Sequence, residues 1–178
     1  LGDVSSNFSS GYLIYNADGI EIPIQENLIK PFSLEQIKAT KLALQEYSKF
    51  SNISFVEVSE EGNSVGHIRF GFADVNAPGT AAWAYAPSND PNSGDIWINS
   101  NHINSSFDQG SGKVFKFLLH EIGHALGLDH PFEGNDILTD GRDFENFTVM
   151  SYTSPKNSSV DENYYISSTP MVLDIAAI

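Results

Sequence analysis

The sequence predicts an α+β domain, because two helical stretches accompany a set of short strands. Residues 33–50 and 112–126 repeat apolar side chains at helical spacing. Short runs that alternate or stay apolar, with β-branched and aromatic residues, are typical of strands. Such runs occupy residues 53–58, 67–73, 80–85 and 95–99. Most strands therefore precede the second helix, and an irregular tail follows it. A chain of 178 residues can bury one sizeable core, so we expect a single domain spanning residues 1–178.

Local signals place the beginnings and ends of these elements. Ser33 can cap the first helix together with Gln36, three residues later. The apolar positions of that helix are Leu34, Ile37, Leu44 and Tyr47. Residues 12–15 and 20–24 flank an Asn-Ala-Asp-Gly turn, which predicts a hairpin. A Glu-Glu-Gly-Asn turn separates the next two strands, and a loop rich in proline, asparagine and glycine joins the last two.

Residues 120–131 read His-Glu-Ile-Gly-His-Ala-Leu-Gly-Leu-Asp-His-Pro and predict a zinc site. His120 and His124 are four residues apart, so they project from one helix face about 6 Å apart. Gly127 can adopt a positive φ, end the helix and reverse the chain, so that His130 returns as third ligand. Three protein ligands leave a position for water or substrate, whereas structural zinc sites usually close all four and often use cysteine. The chain has no cysteine.

Glu121 lies between the two helical histidines but points about 100° around the helix axis. This position suits a carboxylate that acts as general base on a zinc-activated water, and not a third ligand. The same carboxylate can then pass the proton to the departing amine. A buried helix whose histidines only form hydrogen bonds is disfavoured, because polar groups would burden its apolar face. That face consists of Val114, Phe117, Leu118, Ile122 and Leu126.

Two further details give the motif a family resemblance. Pro131 directly follows the third histidine, and residues 149–152, Val-Met-Ser-Tyr, are similar to a Met-turn. With them the sequence resembles the metzincin clan of zinc peptidases and, within it, the serralysin family. The resemblance implies that Met150 packs beneath the zinc and that Tyr152 is a further zinc ligand at rest. Tyr152 would then swing away and donate a hydrogen bond to the tetrahedral oxyanion.

The resemblance runs from about Phe32 to the last residue, where residues 170–178 resemble the helix that closes the family's catalytic domain. It implies a twisted, mostly parallel sheet with two long helices above the cleft, and an irregular lower lobe that ends in a helix. The upper lobe would span about residues 1–130 and the lower lobe about 131–178. In serralysins a glycine-rich calcium-binding repeat domain follows, and no Gly-Gly-x-Gly-x-Asp repeat occurs here. We therefore expect that domain to be absent, and a processing boundary at the uncapped Ile178.

The resemblance also implies a substrate-binding strand. In metzincins an edge strand lines the upper rim of the cleft, and an extended peptide can add to such an edge through main-chain hydrogen bonds. The alternative is an internal strand with Trp83 in the core. The residues concerned are Ala82, Trp83, Ala84 and Tyr85.

Acidic residues are frequent in the segment 132–149, where glycine and asparagine predict a loop. They are Glu133, Asp136, Asp140, Asp143 and Glu145. A calcium site and an ordinary acidic surface loop are both compatible with this pattern, which lacks the ligand spacing of an EF-hand. The same two readings apply to residues 90–95. His67 and His102 lie outside the zinc motif and are expected to be ordinary polar side chains.

The charge of the chain restricts its partners. It has 23 acidic and 9 basic residues, a net charge of −14, which repels phosphate backbones and anionic lipid surfaces. No apolar run approaches the roughly 18 residues needed to cross a bilayer. We therefore expect no nucleic acid and no membrane partner. The expected partners are protein or peptide substrates and, as a candidate, a proteinaceous inhibitor of a monomeric enzyme. The family resemblance implies a secreted, extracellular protein.

The function predicted from the sequence is that of a zinc-dependent endopeptidase with one catalytic zinc ion. Two alternatives belong to other classes. One is a binding module that keeps zinc for stability and holds a ligand without cutting it. The other is a structural or interaction domain of a larger secreted protein. The presence of Glu121 argues against the binding module, and the missing repeat region is the only feature that favours the structural or interaction domain.

Overall fold

The computed structural model describes residues 13–15, 21–23, 29–59, 65–76, 79–101, 113–134, 137–138, 141–155 and 167–178. Within these ranges the chain forms six strands and three helices. In chain order they are β1 (Leu13–Tyr15), β2 (Glu21–Pro23), β3 (Ile29–Lys30), α1 (Leu34–Ser48), β4 (Arg69–Ala73), β5 (Ala82–Ala84), β6 (Asp95–Asn99), α2 (Lys113–Ala125) and α3 (Val172–Ala177). The α+β class is therefore confirmed, as are both predicted helices and the helix in the last nine residues.

The main sheet has four strands in the order β3-β4-β6-β5. Only the β4–β6 pairing is parallel, whereas β3–β4 and β5–β6 are antiparallel. The prediction of a mostly parallel sheet is thus wrong for the described strands, which form a mixed sheet. The reason lies partly in the connection from β5 to β6, a loop of residues 85–94 whose ends are joined by Gly94 N–H donating to Tyr85 O at 3.0 Å. A short reversal can only join antiparallel neighbours.

Two other strand predictions have different outcomes. The predicted hairpin is confirmed, because β1 pairs with β2 in antiparallel register. Residues 53–58 do not form a strand, although Phe55 packs against the core while Val56 is exposed. The alternating pattern therefore predicted correctly that one side chain faces the core. It did not predict the absence of strand hydrogen bonds, because no described strand pairs with this segment. The two-residue strand β3 has no distinct sequence signal.

Helix α1 begins as its sequence predicts. Ser33 Oγ accepts a hydrogen bond from Gln36 N at 3.2 Å, and Gln36 Oε1 accepts one from Ser33 N at 2.7 Å. Its buried residues are Ala39, Thr40, Ala43, Glu46 and Tyr47, whereas Leu34 is 69% exposed. Small side chains let α1 approach α2 closely, and Tyr47 Oη donates to Leu119 O at 2.7 Å. Tyr47 therefore ties α1 to the backbone of α2 one residue before the zinc motif.

Buried residues form two clusters on opposite faces of the sheet. The larger cluster joins the sheet to α1, α2 and the segment around Met150. The smaller one centres on Trp97, whose ring lies over Gly71 so closely that a Cβ there would come within 2.3 Å of it. Trp83 stacks on Trp97 with ring centroids 6.2 Å apart. None of the described helices has both the length and the hydropathy of a membrane span.

The described residues thus resolve the part of the fold that holds the zinc motif. Helix α1 has 15 residues and α2 has 13. Their position above a substrate cleft stays a prediction, as does the division into lobes at about residue 130.

Candidate metal centre

Three histidine side chains converge at the end of α2. His120 and His124 lie one turn apart on the helix, and His130 follows after the chain has reversed. The Nε2 atoms of the three rings are each 3.1 Å from the other two. Among the described residues this is the one group of three or more histidine or acidic side chains whose ligand atoms are close enough to share an ion.

The chain reversal depends on Gly127, which has a φ of +98°. Gly127 N donates to His124 O at 2.9 Å, and Leu128 N donates to Gly123 O at 2.9 Å. This pair of bonds is the Schellman arrangement, in which glycine at positive φ ends a helix. After the turn, Pro131 is buried and its carbonyl accepts from Leu138 N at 2.8 Å. The local sequence therefore brings His130 back beside the helix it follows.

The second ring nitrogen of each histidine determines what the Nε2 atoms can do. Each Nδ1 lies within hydrogen-bond distance of an oxygen that can only accept, so each Nδ1 carries the proton and each Nε2 carries a lone pair. Three lone pairs facing one another at 3.1 Å repel, and a cation relieves that repulsion. A tetrahedral zinc site separates its nitrogen ligands by about 3.3 Å, so the three rings fit the ion. For His120, His124 and His130 in turn, the acceptors are Val149 O at 2.9 Å, Leu128 O at 2.8 Å and Glu133 Oε2 at 2.8 Å.

Burial keeps the helical histidines in their ligand form. It lowers the pKa of His120 to about 3, and it also lowers the pKa of His124. The positive charge of an imidazolium is disfavoured in a buried position, and neighbouring histidines add to the effect. Both rings are therefore neutral at neutral pH and need not lose a proton to bind a metal.

Glu121 is only 5% exposed, follows His120 on α2 and acts through its charge on Tyr152. Its Oε2 has no hydrogen-bond partner among the described atoms, and burial raises its pKa to about 8. A buried carboxyl oxygen without a donor is costly, and such groups are concentrated at functional sites. A divalent cation at the histidines would act in the opposite direction on the pKa and favour the carboxylate. The Nε2 atoms of the three histidines thus fit a zinc ion, and the carboxyl group of Glu121 lies on the helix that carries two of them.

The turn containing Met150 packs under this site and is held by α3. The carboxylate of Asp174 accepts from Thr148 Oγ1 at 2.6 Å, from Val149 N at 2.9 Å and from Met171 N at 2.7 Å. Val149 O in turn accepts from His120 Nδ1. Asp174 is 2% exposed and was not identified from the sequence, although a carboxylate inside an apolar helical run was a signal that could have found it.

Met150 lies directly against α2. A Cβ built on Gly123 would come within 2.6 Å of Met150 Sδ and 3.0 Å of Tyr47 Oη. The first glycine of the motif, Gly123, is therefore explained by close packing, which the sequence analysis did not identify. Without a side chain at position 123, the methionine and the tyrosine can both contact the helix between the two ligand histidines.

Tyr152 reaches the histidines from the outside. Its hydroxyl oxygen is 2.7 Å from His130 Nε2, although the residue as a whole is 64% exposed. Burial of the hydroxyl end raises the pKa of Tyr152 to about 12, and the carboxylates of Glu121 and Glu133 act in the same direction. The phenol is therefore protonated at neutral pH and can donate a hydrogen bond. The ring of Phe132, which the sequence did not single out, lies 5.2 Å from that of Tyr152.

Strand β5 has two distinct sides. It pairs with β6, and no described strand pairs along its other edge. Trp83 packs into the smaller buried cluster, and its Nε1 is buried with no described partner. Strand β5 can thus lie at the edge of the sheet while Trp83 is packed in the core. Backbone hydrogen bonds lie in the plane of the sheet, whereas side chains point out of that plane.

The described acidic residues of the segment 132–149 each contact a different partner. Glu133 bonds to His130, Asp143 accepts from Ser151 Oγ at 2.6 Å, and Glu145 pairs with Lys116. Asp136 and Asp140 lie outside the described residues. In the other acidic stretch, Asp95 forms a buried ion pair with Arg69. The prediction of calcium therefore rests on the sequence alone. His67 is exposed and belongs to no ligand group of the described residues, and His102 lies outside them.

Comparison with known proteins gives one family. The family model described as Matrixin, of the M10 peptidases, matches residues 23–149. Serralysin of Photorhabdus sp. (strain Az29) is 33% identical over 188 residues, which cover 99% of this chain and 38% of the relative. Serralysin C of Dickeya chrysanthemi is 38% identical over 160 residues, with coverages of 83% and 33%. Metalloprotease AprA of Pseudomonas entomophila (strain L48) is 38% identical over 168 residues, again with 83% and 33%.

The chain thus spans between a third and two fifths of the length of these relatives. The matched family segment includes the three histidines, Glu121 and the start of the Met-turn. Because the family model covers well over half of the chain and a serralysin aligns with nearly all of it, the chain belongs to the Matrixin family, as a metzincin catalytic domain of the serralysin type.

Proposed function

We propose that this domain is the catalytic part of a secreted zinc endopeptidase that hydrolyses peptide bonds in proteins. The observation that carries the proposal is the convergence of three Nε2 atoms at 3.1 Å, two of them from the helix that also carries the buried carboxyl group of Glu121. Names among the relatives, serralysin and metalloprotease, support the same chemistry. A binding module would need the three histidines but not the carboxyl group of Glu121.

His120, His124 and His130 would hold the zinc ion, with the phenol of Tyr152 as an additional ligand at rest. When bound, zinc is a Lewis acid that polarises a carbonyl group and makes water nucleophilic at neutral pH. The hydrogen bonds on each Nδ1 fix the rings in the orientation that directs Nε2 to the ion. Gly127 and Pro131 contribute by shaping the turn that returns His130 to α2.

Glu121 acts as the general base. Its carboxylate accepts a proton from the attacking water and then delivers it to the nitrogen of the departing amine. Burial raises the pKa of the group, and a bound zinc ion would lower it again, so that the carboxylate could both accept and return a proton. Since Oε2 has no partner in the described protein, it can take the proton without first breaking a hydrogen bond.

Tyr152 stabilises the oxyanion. Its phenol is protonated at neutral pH and sits at the histidine cluster, so it can donate to the oxygen that becomes negative in the transition state. Met150 packs beneath the ligands and keeps them in register. Its burial against Gly123 supports a role in packing and not in chemistry.

The substrate would bind along β5 in extended conformation. The edge of Ala82, Trp83 and Ala84 along which no described strand pairs would offer backbone donors and acceptors, and Tyr85 would continue the rim. Strand β5 packs against α2, the helix of His120 and His124, which supports a substrate path near the histidines. Cationic or neutral protein substrates are favoured by the net charge of −14, which disfavours nucleic acid and anionic membranes. The proposal further holds that the enzyme is extracellular and monomeric and that a proteinaceous inhibitor could fill the same edge.

Digestion of casein tests the proposal and separates it from a binding module. The purified chain loaded with zinc is expected to degrade casein. Cleavage should stop when a chelator is added and resume when zinc is added back. The matched control is Glu121→Gln, which should retain one zinc per chain by elemental analysis but not cleave. Zinc-loaded wild type that leaves casein intact would support the binding module and overturn the enzyme.

A further inference from the structure

The three histidines are not held in the same way. His120 and His124 lie on α2, and their Nδ1 atoms bond to backbone carbonyls. His130 lies in irregular backbone, where no helix fixes the direction of its side chain. Its Nδ1 bonds to the carboxylate of Glu133 at 2.8 Å. Among the described residues, His130 is thus the one ligand whose ring is bonded by a charged side chain.

A local turn brings Glu133 to the ring. Glu133 N donates to His130 O at 3.1 Å, which closes the backbone over three residues and places both side chains on the same side. Phe132, between them, stacks on the face of the imidazole with ring centroids 5.0 Å apart and planes within 8°. The ring of His130 is therefore held at its edge by a hydrogen bond to a carboxylate and on its face by a stacked aromatic ring.

We propose that Glu133 is a positioning residue for the third zinc ligand and that it sets the affinity of the site for zinc. A carboxylate on Nδ1 makes Nε2 a better electron donor and fixes its direction, which a backbone carbonyl does more weakly. The inference rests on the proposed function, because it assumes that the three histidines hold zinc. It assigns Glu133 to the histidine and not to a calcium site in the acidic segment.

The simpler explanation is a surface hydrogen bond without consequence, since the side chain of Glu133 is 62% exposed. Exposed pairs contribute little to stability, so removal of this carboxylate should leave the metal-free fold unchanged. The two explanations therefore differ in metal binding and not in folding. Asp129 offers a matched control, because it is an exposed acid directly before His130 whose charge also acts on a ligand ring, that of His124, but which is not among the hydrogen-bond partners of the three rings.

The experiment measures the zinc dissociation constant of the full chain by competition with a chromogenic chelator. Glu133→Ala is expected to raise the constant by about 10- to 100-fold, the range for loss of an outer partner of a metal ligand. Asp129→Ala should raise it less than about threefold, since the charge of Asp129 is exposed and screened and no hydrogen bond joins it to the three rings. Glu133→Gln, which keeps an acceptor oxygen but no charge, should fall between wild type and Glu133→Ala.

A second measurement distinguishes a change in the orientation of the His130 ring from the loss of a nearby negative charge. With cobalt in place of zinc, Glu133→Ala should change the visible absorption bands, because the ring of His130 is no longer held, whereas Asp129→Ala should not. Equal zinc affinity in wild type and Glu133→Ala would overturn the inference, and so would equal losses in Glu133→Ala and Asp129→Ala. Wild type that takes up no zinc at all would instead overturn the proposed function.

Discussion

Glu121 combines a buried position with an oxygen that has no hydrogen-bond partner in the described protein. We predict that Glu121→Gln retains zinc and lowers kcat/KM on peptide substrates by about 10²- to 10⁴-fold, the contribution of a general base. The amide has nearly the same shape as the carboxyl group but cannot accept the proton. Peptide cleavage rates and zinc content measured on the same sample check this. Loss of zinc together with activity would contradict a role as base.

Tyr152 is the second residue whose role can be isolated. We predict that Tyr152→Phe keeps the ring and its stacking on His120 but costs about 10- to 1,000-fold in kcat, the scale of one oxyanion donor. Zinc should remain bound, because three histidines still hold it. Steady-state kinetics with a peptide substrate provide the measurement. Turnover equal to wild type would remove the tyrosine from the mechanism.

At the scale of elements, the end of α2 depends on one backbone conformation. Gly127 has a φ of +98°, and a non-glycine residue there is strained by about 1 kcal/mol or more. We predict that Gly127→Ala destabilises the protein and also weakens zinc binding, because His130 follows the strained turn. Gly141, which has a φ of +80° and open space where a Cβ would lie, is the control: Gly141→Ala should cost similar stability without affecting zinc. Unchanged zinc affinity in Gly127→Ala would contradict the importance of this turn.

The contact between α3 and the Met-turn is a second element that can be tested. Asp174→Ala removes the acceptor for Thr148, Val149 and Met171 in a buried position. We predict a loss of about 2–4 kcal/mol in the free energy of unfolding, because buried donors are left without partners. Urea denaturation of the zinc-free protein measures this. The exposed Glu57→Ala should change the free energy by less than about 1 kcal/mol, and similar losses in both variants would refute the prediction.

For the whole molecule, zinc is expected to act as a stabiliser as well as a cofactor. The chain has no cysteine, so no disulfide supports the fold. Zinc at a hundred times its dissociation constant adds about 2.7 kcal/mol to stability. For a domain of this size that corresponds to roughly 5–10 °C in Tm. Differential scanning fluorimetry with and without zinc measures the shift.

Two histidine variants are the controls for this shift. His124→Ala should lose both the zinc-dependent rise in Tm and the peptidase activity. His67→Ala, which alters an exposed histidine outside the ligand group, should respond to zinc like wild type. A wild-type Tm that does not depend on zinc would mean that the metal is not linked to folding.

The local elements could largely be predicted from the sequence. Ser33 and Gln36 form the capping box expected from their spacing, β6 has the predicted bounds, and α2 differs from its prediction by one residue at each end. These features depend on residues a few positions apart, so backbone geometry and local hydrogen bonds determine them. Residues 53–58 show the limit, because an alternating pattern does not specify whether a partner strand is beside it.

The sequence by itself determined which three histidines converge in this protein. The helical period places His120 beside His124, and the glycine turn returns His130, so the zinc motif is readable without any distant contact. Only the tertiary structure decided that β5 lies at an edge of the described sheet, that Asp174 holds the Met-turn from 25 residues away, and that Gly123 leaves room for Met150. The physical reason is that such contacts depend on close packing between segments that are far apart in the chain. The residues next to each position in the sequence therefore do not predict them.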